Sequence, residues 1–438
     1  MASSSTKSMI ALFVFSLLLI SNASFAEPPS YSSGDLPRLC SFDDLYKPEG
    51  YQVFRHIDTC NVGLLKLCKL NQIYQFGDSI SDVGNLIRET PATPLARASI
   101  GSLLTDYYGF ILDNLIRGKP VGAATPPPYA RLPYGSDFPK GPTGRASNGN
   151  LLTDFYAMDA GLPLLPPFKK YGADFSHGVN FAVAGSTALP WEALAALNIS
   201  SPITNSSLSV QLDWMSAYFH SLPNNMNQRS AGLENALFMM GPFGGSDYHH
   251  ALFQGKSIHE IETTMVPKIV DAIMSAVRRV VSMGAKKVVL PGLYTIFRLP
   301  VYRTAFYGNF NMWEVNNDLA IHHNAQLIKA INKFNQEAEN PNAVVVYGDY
   351  FSAYEALENY SVDAGMDLNV CCGSGGTEDW RYNLDLTRMC GTDGVSGCAE
   401  PKKHVSWDGE NLTEEAYRIM AKYMVYRIFT GLQCPYSY

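Results

Sequence analysis

The residues with most chemical promise are Phe76-Gly77-Asp78-Ser79-Ile80-Ser81-Asp82-Val83-Gly84-Asn85, which follow the apolar run Ile73-Tyr74-Gln75-Phe76. The pattern predicts a strand that turns into a helix at Ser79. An oxygen held at a helix start has free backbone N–H groups and the positive end of the helix dipole beside it. Negative charge developing during acyl transfer is stabilised there. Far downstream, Trp407-Asp408-Gly409-Glu410-Asn411-Leu412-Thr413 looks like the other half of the same site. Where a proton-accepting histidine would be expected, the chain has Asn411.

The elements that must position these groups can be read from hydrophobic period. Ile73 to Phe76, Ala236 to Met240, Lys287 to Leu290 and Ala343 to Tyr347 are short, β-branched or aromatic, and bounded by Gly, Pro or Asp, which predicts buried strands. Between them lie helical patterns. The clearest places Ile258, Ile261, Met265, Ile269, Ile273, Ala276, Val277 and Val280 at three- and four-residue spacing. A second runs from about Asn317 to Glu337, and a last one from Glu414 to Thr430, with Thr413 as N-cap and Gly431 as its end. Strands alternating with such helices predict an α/β fold with a mainly parallel sheet covered on both faces, and ligands at the carboxyl ends of its strands.

The first residues, with Lys7, the apolar run Met9 to Ile20 and Ser24-Phe25-Ala26, read as a secretory signal over residues 1–26. The run is too short for a stable membrane span. Residues 27–438 are then expected to form a single domain, since no Pro/Gly/Ser linker or charge block divides them. Removing the leader leaves 32 basic and 40 acidic residues, a net charge of −8, and no basic stretch suits nucleic acid or an anionic membrane. Eight cysteines in an exported chain predict disulfides, with Cys371, Cys372, Cys390 and Cys398 crowding a Gly-rich segment. Zinc is the rival reading, but paired CxxC units are missing. Sequons at Asn198, Asn205, Asn359 and Asn411 fit a glycoprotein, and the last is peculiar because a glycan there would block the cleft.

Six blocks taken in order resemble the plant GDSL esterase/lipase proteins of the SGNH hydrolase superfamily. They are Gly77 to Asn85, Thr143-Gly144-Arg145-Ala146-Ser147-Asn148-Gly149, Gly178 to Ser186, Gly241 to Tyr248, Cys371-Cys372-Gly373 and Trp407-Asp408-Gly409. The resemblance covers nearly the whole mature chain. It implies a flavodoxin-like three-layer α/β/α sandwich carrying a Ser-His-Asp triad, with no cofactor and no metal. Ser79 takes the nucleophile position, Gly185 that of a backbone oxyanion donor, and Asp408 that of the acid that orients the histidine. Two positions depart from the pattern. Ser246 stands where the family has an asparagine whose amide helps hold the oxyanion, and Asn411 where it has the catalytic histidine.

Magnitudes decide what this means. A side-chain oxyanion donor is worth about 10² to 10³ in rate. A triad histidine is worth on the order of 10⁴ to 10⁶, because an amide cannot take a proton from serine at neutral pH. Fast hydrolysis by the family's route is therefore not expected. His404, His177, His249 and His250 are the surrogates to test, each with a bland reading as a polar loop or helix-surface residue. Asp78, Asp82 and Asn85 read as loop hydrogen-bonders, Arg145 as a brace for the nucleophile loop, and Asp408 as either a helix cap or a retained proton acceptor or cation binder. Three classes stay open. The favoured one is an enzyme for a small, partly apolar metabolite, repurposed for cyclisation, lyase or condensation chemistry in which Asp408 moves protons and Ser79 only binds. The others are a weak esterase or acyltransferase with a surrogate base and a non-catalytic binding protein. The expected location is the secretory route, ending outside the cell or in the vacuole.

Overall fold

A computed structural model describes residues 63–89, 128–200, 204–222, 233–307, 310–337, 343–375 and 382–434, with backbone only at 296 and 310–318. The expected leader, Cys40 and Cys60 lie outside these residues.

Five strands form one parallel sheet: β1 (Gln72–Phe76), β2 (Gly178–Asn180), β3 (Ala236–Met240), β4 (Lys287–Pro291) and β5 (Val344–Gly348). Their order is β2-β1-β3-β4-β5. β1 sits between its two parallel neighbours, with Ile73 opposite both Gly178 and Leu237. Every residue of β3 is buried, which is why Ala236 to Met240 reads as an unbroken apolar run rather than an alternating one. β2 escaped the sequence reading because it is three residues long and opens on a glycine. Gly178 has φ +116°, and a Cβ there would lie 1.9 Å from the Ile73 carbonyl oxygen, so only glycine lets the two strands close up.

Helices cover both faces. On one lie α2 (Leu208–Ser221), α4 (Val266–Ser282) and α6 (Phe310–Gln336), and on the other α1 (Leu152–Asp159), α7 (Tyr350–Ala364) and α8 (Glu414–Gly431). Two shorter helices, α3 (Gly245–Phe253) and α5 (Pro300–Ala305), follow the ends of β3 and β4. The architecture is thus the expected α/β/α sandwich. α4 buries Ile269, Val270, Ile273, Met274, Ala276, Val277 and Val280, and each of these side chains larger than alanine contributes up to about 1.5–3 kcal/mol of burial. The continuous helix expected from Ile258 is interrupted by a π turn over Ile261–Met265. Pro267 explains it: the proline has no N–H to donate and its ring excludes the carbonyl one turn back, so the ladder widens there. α6 begins at Phe310 rather than near Asn317.

Disulfides join Cys371 to Cys398, Cys372 to Cys390 and Cys68 to Cys434. The first two cross-link the Gly-rich segment within itself, and backbone hydrogen bonds hold it against the loop that precedes α8. The backbone N–H groups of Cys371 and Cys372 donate to the Ser406 and Trp407 carbonyls at 3.0 and 2.6 Å.

Candidate active site

β1 ends at Gly77, whose N–H donates to Gln211 Oε1 (3.0 Å) while its carbonyl accepts from Gln211 Nε2 (2.9 Å). Gln211 comes from α2, so the outer helix fixes where the strand stops. Ser79 follows, partly exposed among buried neighbours, in a turn rather than at the start of an α-helix. The expected helix fails because of Asp82. Its Oδ1 accepts from the N–H groups of Gly84 (2.7 Å) and Asn85 (2.6 Å), and its Oδ2 from those of Leu86 (3.1 Å) and Ala184 (2.9 Å). Those donors are diverted from helix carbonyls, and the segment closes as a knot instead. Asn85 adds a second tie through Nδ2 to the Asn180 (2.9 Å) and Ala182 (2.8 Å) carbonyls.

Because Asp82 grips Ala184, the loop after β2 is bound to the loop after β1. Gly185, next along, has φ +78° and is partly exposed. Neither the Gly185 N–H nor the Ser79 N–H has a hydrogen-bond acceptor among the described residues, and both are the donors an oxyanion would need. Ser246 lies in the first turn of α3, partly exposed, behind the left-handed N-cap Gly244. Asp247 beside it is buried and accepts from Ala188 N (2.8 Å) and Leu189 N (3.0 Å). The loops after β1, β2 and β3 thus meet through Asp82 and Asp247. Arg145 does not touch Ser79. It pairs with Asp154 of α1, and the adjoining Gly144 lies against Gly84, where a Cβ would come within 2.6 Å of the Gly84 Cα.

Asp408 is fully buried. Its Oδ1 accepts from Glu410 N (2.9 Å) and Asn411 N (2.7 Å), and its Oδ2 from Asn411 Nδ2 (3.0 Å) and Tyr134 OH (2.8 Å). It caps its own turn and not α8, which is capped by Thr413 Oγ1 accepting from Ala416 N (3.2 Å). Asn411 is likewise buried, and its Oδ1 has no hydrogen-bond partner among the described residues. The amide therefore reproduces only the donor half of an imidazole. Asn198, Asn205 and Asn359 are exposed, whereas Asn411 is enclosed. Peptide mass analysis of the folded protein is expected to find Asn411 unmodified; a glycan there would mean that the loop does not close as described.

The site is crowded with carboxyls. Burial raises Asp78 to about 7, with Asp247 adding to the rise, and Asp408 is raised by burial against its hydrogen bonds. Glu410 is pushed up to about 8 by burial, then by the charges of Asp408 and Asp78. Glu410 was not singled out from the sequence; its only signal was its position between Asp408 and Asn411. Its carboxylate, 28% exposed, lies 3.9 Å from His249 Nδ1, which hydrogen-bonds Tyr302 OH at 2.7 Å. His177 precedes β2 at its amino end, away from the carboxyl ends where the site is built, and His404 bonds the Asn369 carbonyl at 2.9 Å. His250 is fully buried and held down to about 4 by that burial. His249 is held well below its usual value by burial and then by His250, so it is neutral at pH 7.

Comparison with known proteins follows this geometry. A family model for GDSL-like lipase/acylhydrolase matches residues 73–424. Acetylajmalan esterase 2 of Rauvolfia serpentina is 36% identical over 377 residues, 84% of this chain and 93% of that protein. Acetylajmalan esterase of the same plant is 35% identical, covering 85% and 89%. A GDSL esterase/lipase of Arabidopsis thaliana is 33% identical, covering 84% and 92%.

Proposed function

Because the chain belongs to the GDSL-like lipase/acylhydrolase family, we propose that it is an exported enzyme of that descent whose ordinary Ser79-dependent ester hydrolysis is strongly impaired. Its cleft works by proton transfer on a small, partly apolar metabolite, with Ser79, Gly185 and Ser246 serving to bind. The observation that carries this is Asn411: its Nδ2 donates to Asp408 at 3.0 Å and its buried Oδ1 cannot take the Ser79 proton. Asp408, enclosed and holding four hydrogen bonds, orients the loop, so the proton-moving role expected of it passes to another group. That its relatives are named esterases, three of them of acetylajmalan, supports a small ester-bearing or carbonyl-bearing molecule as the ligand. No helix among the described residues is long and apolar enough to cross a membrane.

The test is direct. Ser79→Ala is expected to keep the slow kcat for p-nitrophenyl acetate while raising KM, and a fluorophosphonate probe is expected not to label Ser79. Brisk cleavage abolished by Ser79→Ala, with rapid labelling of the parent protein, would overturn the proposal.

A further inference from the structure

We infer that Glu410, whose backbone is fixed by Asp408 and whose side chain faces His249, is the group of the cleft that exchanges a proton with the bound molecule; this rests on the reading that Ser79 is not the operative nucleophile. Three observations converge. Glu410 lies on the loop between Asp408 and Asn411, and its backbone N–H is fixed to Asp408 Oδ1, so the position that lost its imidazole keeps a carboxyl next door. Its side chain is partly exposed, whereas Asp408 and Asn411 are enclosed, so of the three it is the one that a ligand can reach. His249 stands one turn from Ser246 on α3 and brings Nδ1 to 3.9 Å from Glu410 Oε1, with Tyr302 OH at 2.7 Å on the same nitrogen. A ring stacked on Phe253, with centroids 4.5 Å apart, cannot swing away. Val301, beside Tyr302, donates its N–H to the Gly409 carbonyl at 3.0 Å, which ties α5 to the same loop.

The groups facing Glu410 set its behaviour. Asp408 on its own loop and Asp78 after β1 oppose its ionisation, and burial does so more strongly. Tyr129, Tyr134 and Tyr294 are themselves raised, in part by its charge, and stay protonated, while His249 on α3 is neutral. No lysine or arginine contributes to these shifts. At neutral pH Glu410 is therefore mostly a carboxylic acid, and its carboxylate appears as pH rises through about 8. With a simple ester and water the step balances as follows. The Glu410 carboxylate takes one proton from water as that water's oxygen bonds to the carbonyl carbon. When the adduct breaks its bond to the alcohol oxygen, Glu410 returns the proton to the alcohol, leaving acid and alcohol as products.

The experiment follows p-nitrophenyl acetate cleavage by the intact protein from pH 6 to 9. The parent rate should climb to a plateau with an apparent pKa near 8, and Glu410→Gln should lower the plateau by about 10² to 10³ and flatten the profile. Glu410→Asp should keep a titrating profile, and Ser79→Ala, which removes a binding hydroxyl, should keep the midpoint while raising KM. An unchanged rate and profile in Glu410→Gln, with Ser79→Ala still turning over at saturating ester, overturns this inference and leaves the wider proposal standing; loss of cleavage in Ser79→Ala at saturation removes the wider proposal. A measurement independent of turnover guards against misfolding. The folded-state value of Glu410 is above its unfolded one, so its contribution to stability is full below about 4.3 and is lost as pH rises through about 8. Urea midpoints should therefore fall between pH 6 and 9 in the parent and fall less in Glu410→Gln. An equal fall in both counts against the inference.

Discussion

The double substitution Asn411→His with Ser246→Asn is expected to raise p-nitrophenyl acetate turnover by at least about 10³-fold, and adding Ser79→Ala should abolish the gain. The scaffold for it is already in place. Asp408 Oδ2 accepts from Asn411 Nδ2 at 3.0 Å and from Tyr134 OH at 2.8 Å, so an imidazole at 411 finds a buried acceptor for one ring nitrogen and leaves the other free to act as base. Tyr134 is fully buried and fixed against Trp407, which holds the acceptor in place. At 246 a side-chain amide adds a donor to the unpartnered N–H groups of Ser79 and Gly185, restoring about 10² of oxyanion stabilisation. A folded double variant that stays inert would show that Ser79 and residue 411 do not share a site.

Asp154→Ala is expected to destabilise the protein by about 3–5 kcal/mol, read as a lower urea midpoint at unchanged slope. Arg145 is 5% exposed and donates through Nε and Nη2 to both Asp154 oxygens, at 2.8 and 2.7 Å. Asp154 Oδ2 also accepts from Leu151 N at 2.9 Å, at the start of α1. Removing the carboxylate leaves a buried guanidinium whose remaining contacts are Thr143 Oγ1 at 2.7 Å and the Phe138 ring, 4.1 Å away. Neither neutralises a charge. Because the Thr143 to Arg145 segment lies against Gly84, the loss should also loosen the nucleophile loop. The paired change Arg145→Met with Asp154→Leu should recover part of the loss, since a buried pair replaced by apolar groups strands no charge. A loss under about 1 kcal/mol in Asp154→Ala would contradict this account.

Legibility from sequence followed the range of the interaction concerned. Strands β1, β3 and β4 were readable within a residue or so because burial on both faces demands unbroken apolar runs, and β5, which is only partly buried, by its run of β-branched valines. β2 was not, because its three residues form a strand only by lying against β1. Thr413 was legible as the cap of α8 because the bond that makes it a cap spans three residues. Asp82 read as a loop hydrogen-bonder, but its grip on Ala184, which brings two loops together, was out of reach of any local pattern. Among the histidines, only contact with other elements separates His249 from His177, His250 and His404, since all four look alike as polar residues in a string.

By itself the sequence determined the alternation of buried strands and amphipathic helices, the order of the motif blocks, and the presence of an amide side chain at position 411. These depend on residue type and on spacing within a few turns or strand residues. Only the tertiary structure decided that Cys68 meets Cys434 across 366 residues, that Asp408 is sealed while Glu410 is reachable, and that Glu410 faces His249. Exposure and the field of neighbouring charges are properties of the packed whole. A carboxyl acquires its proton affinity from the desolvation and the like charges that folding gathers around it.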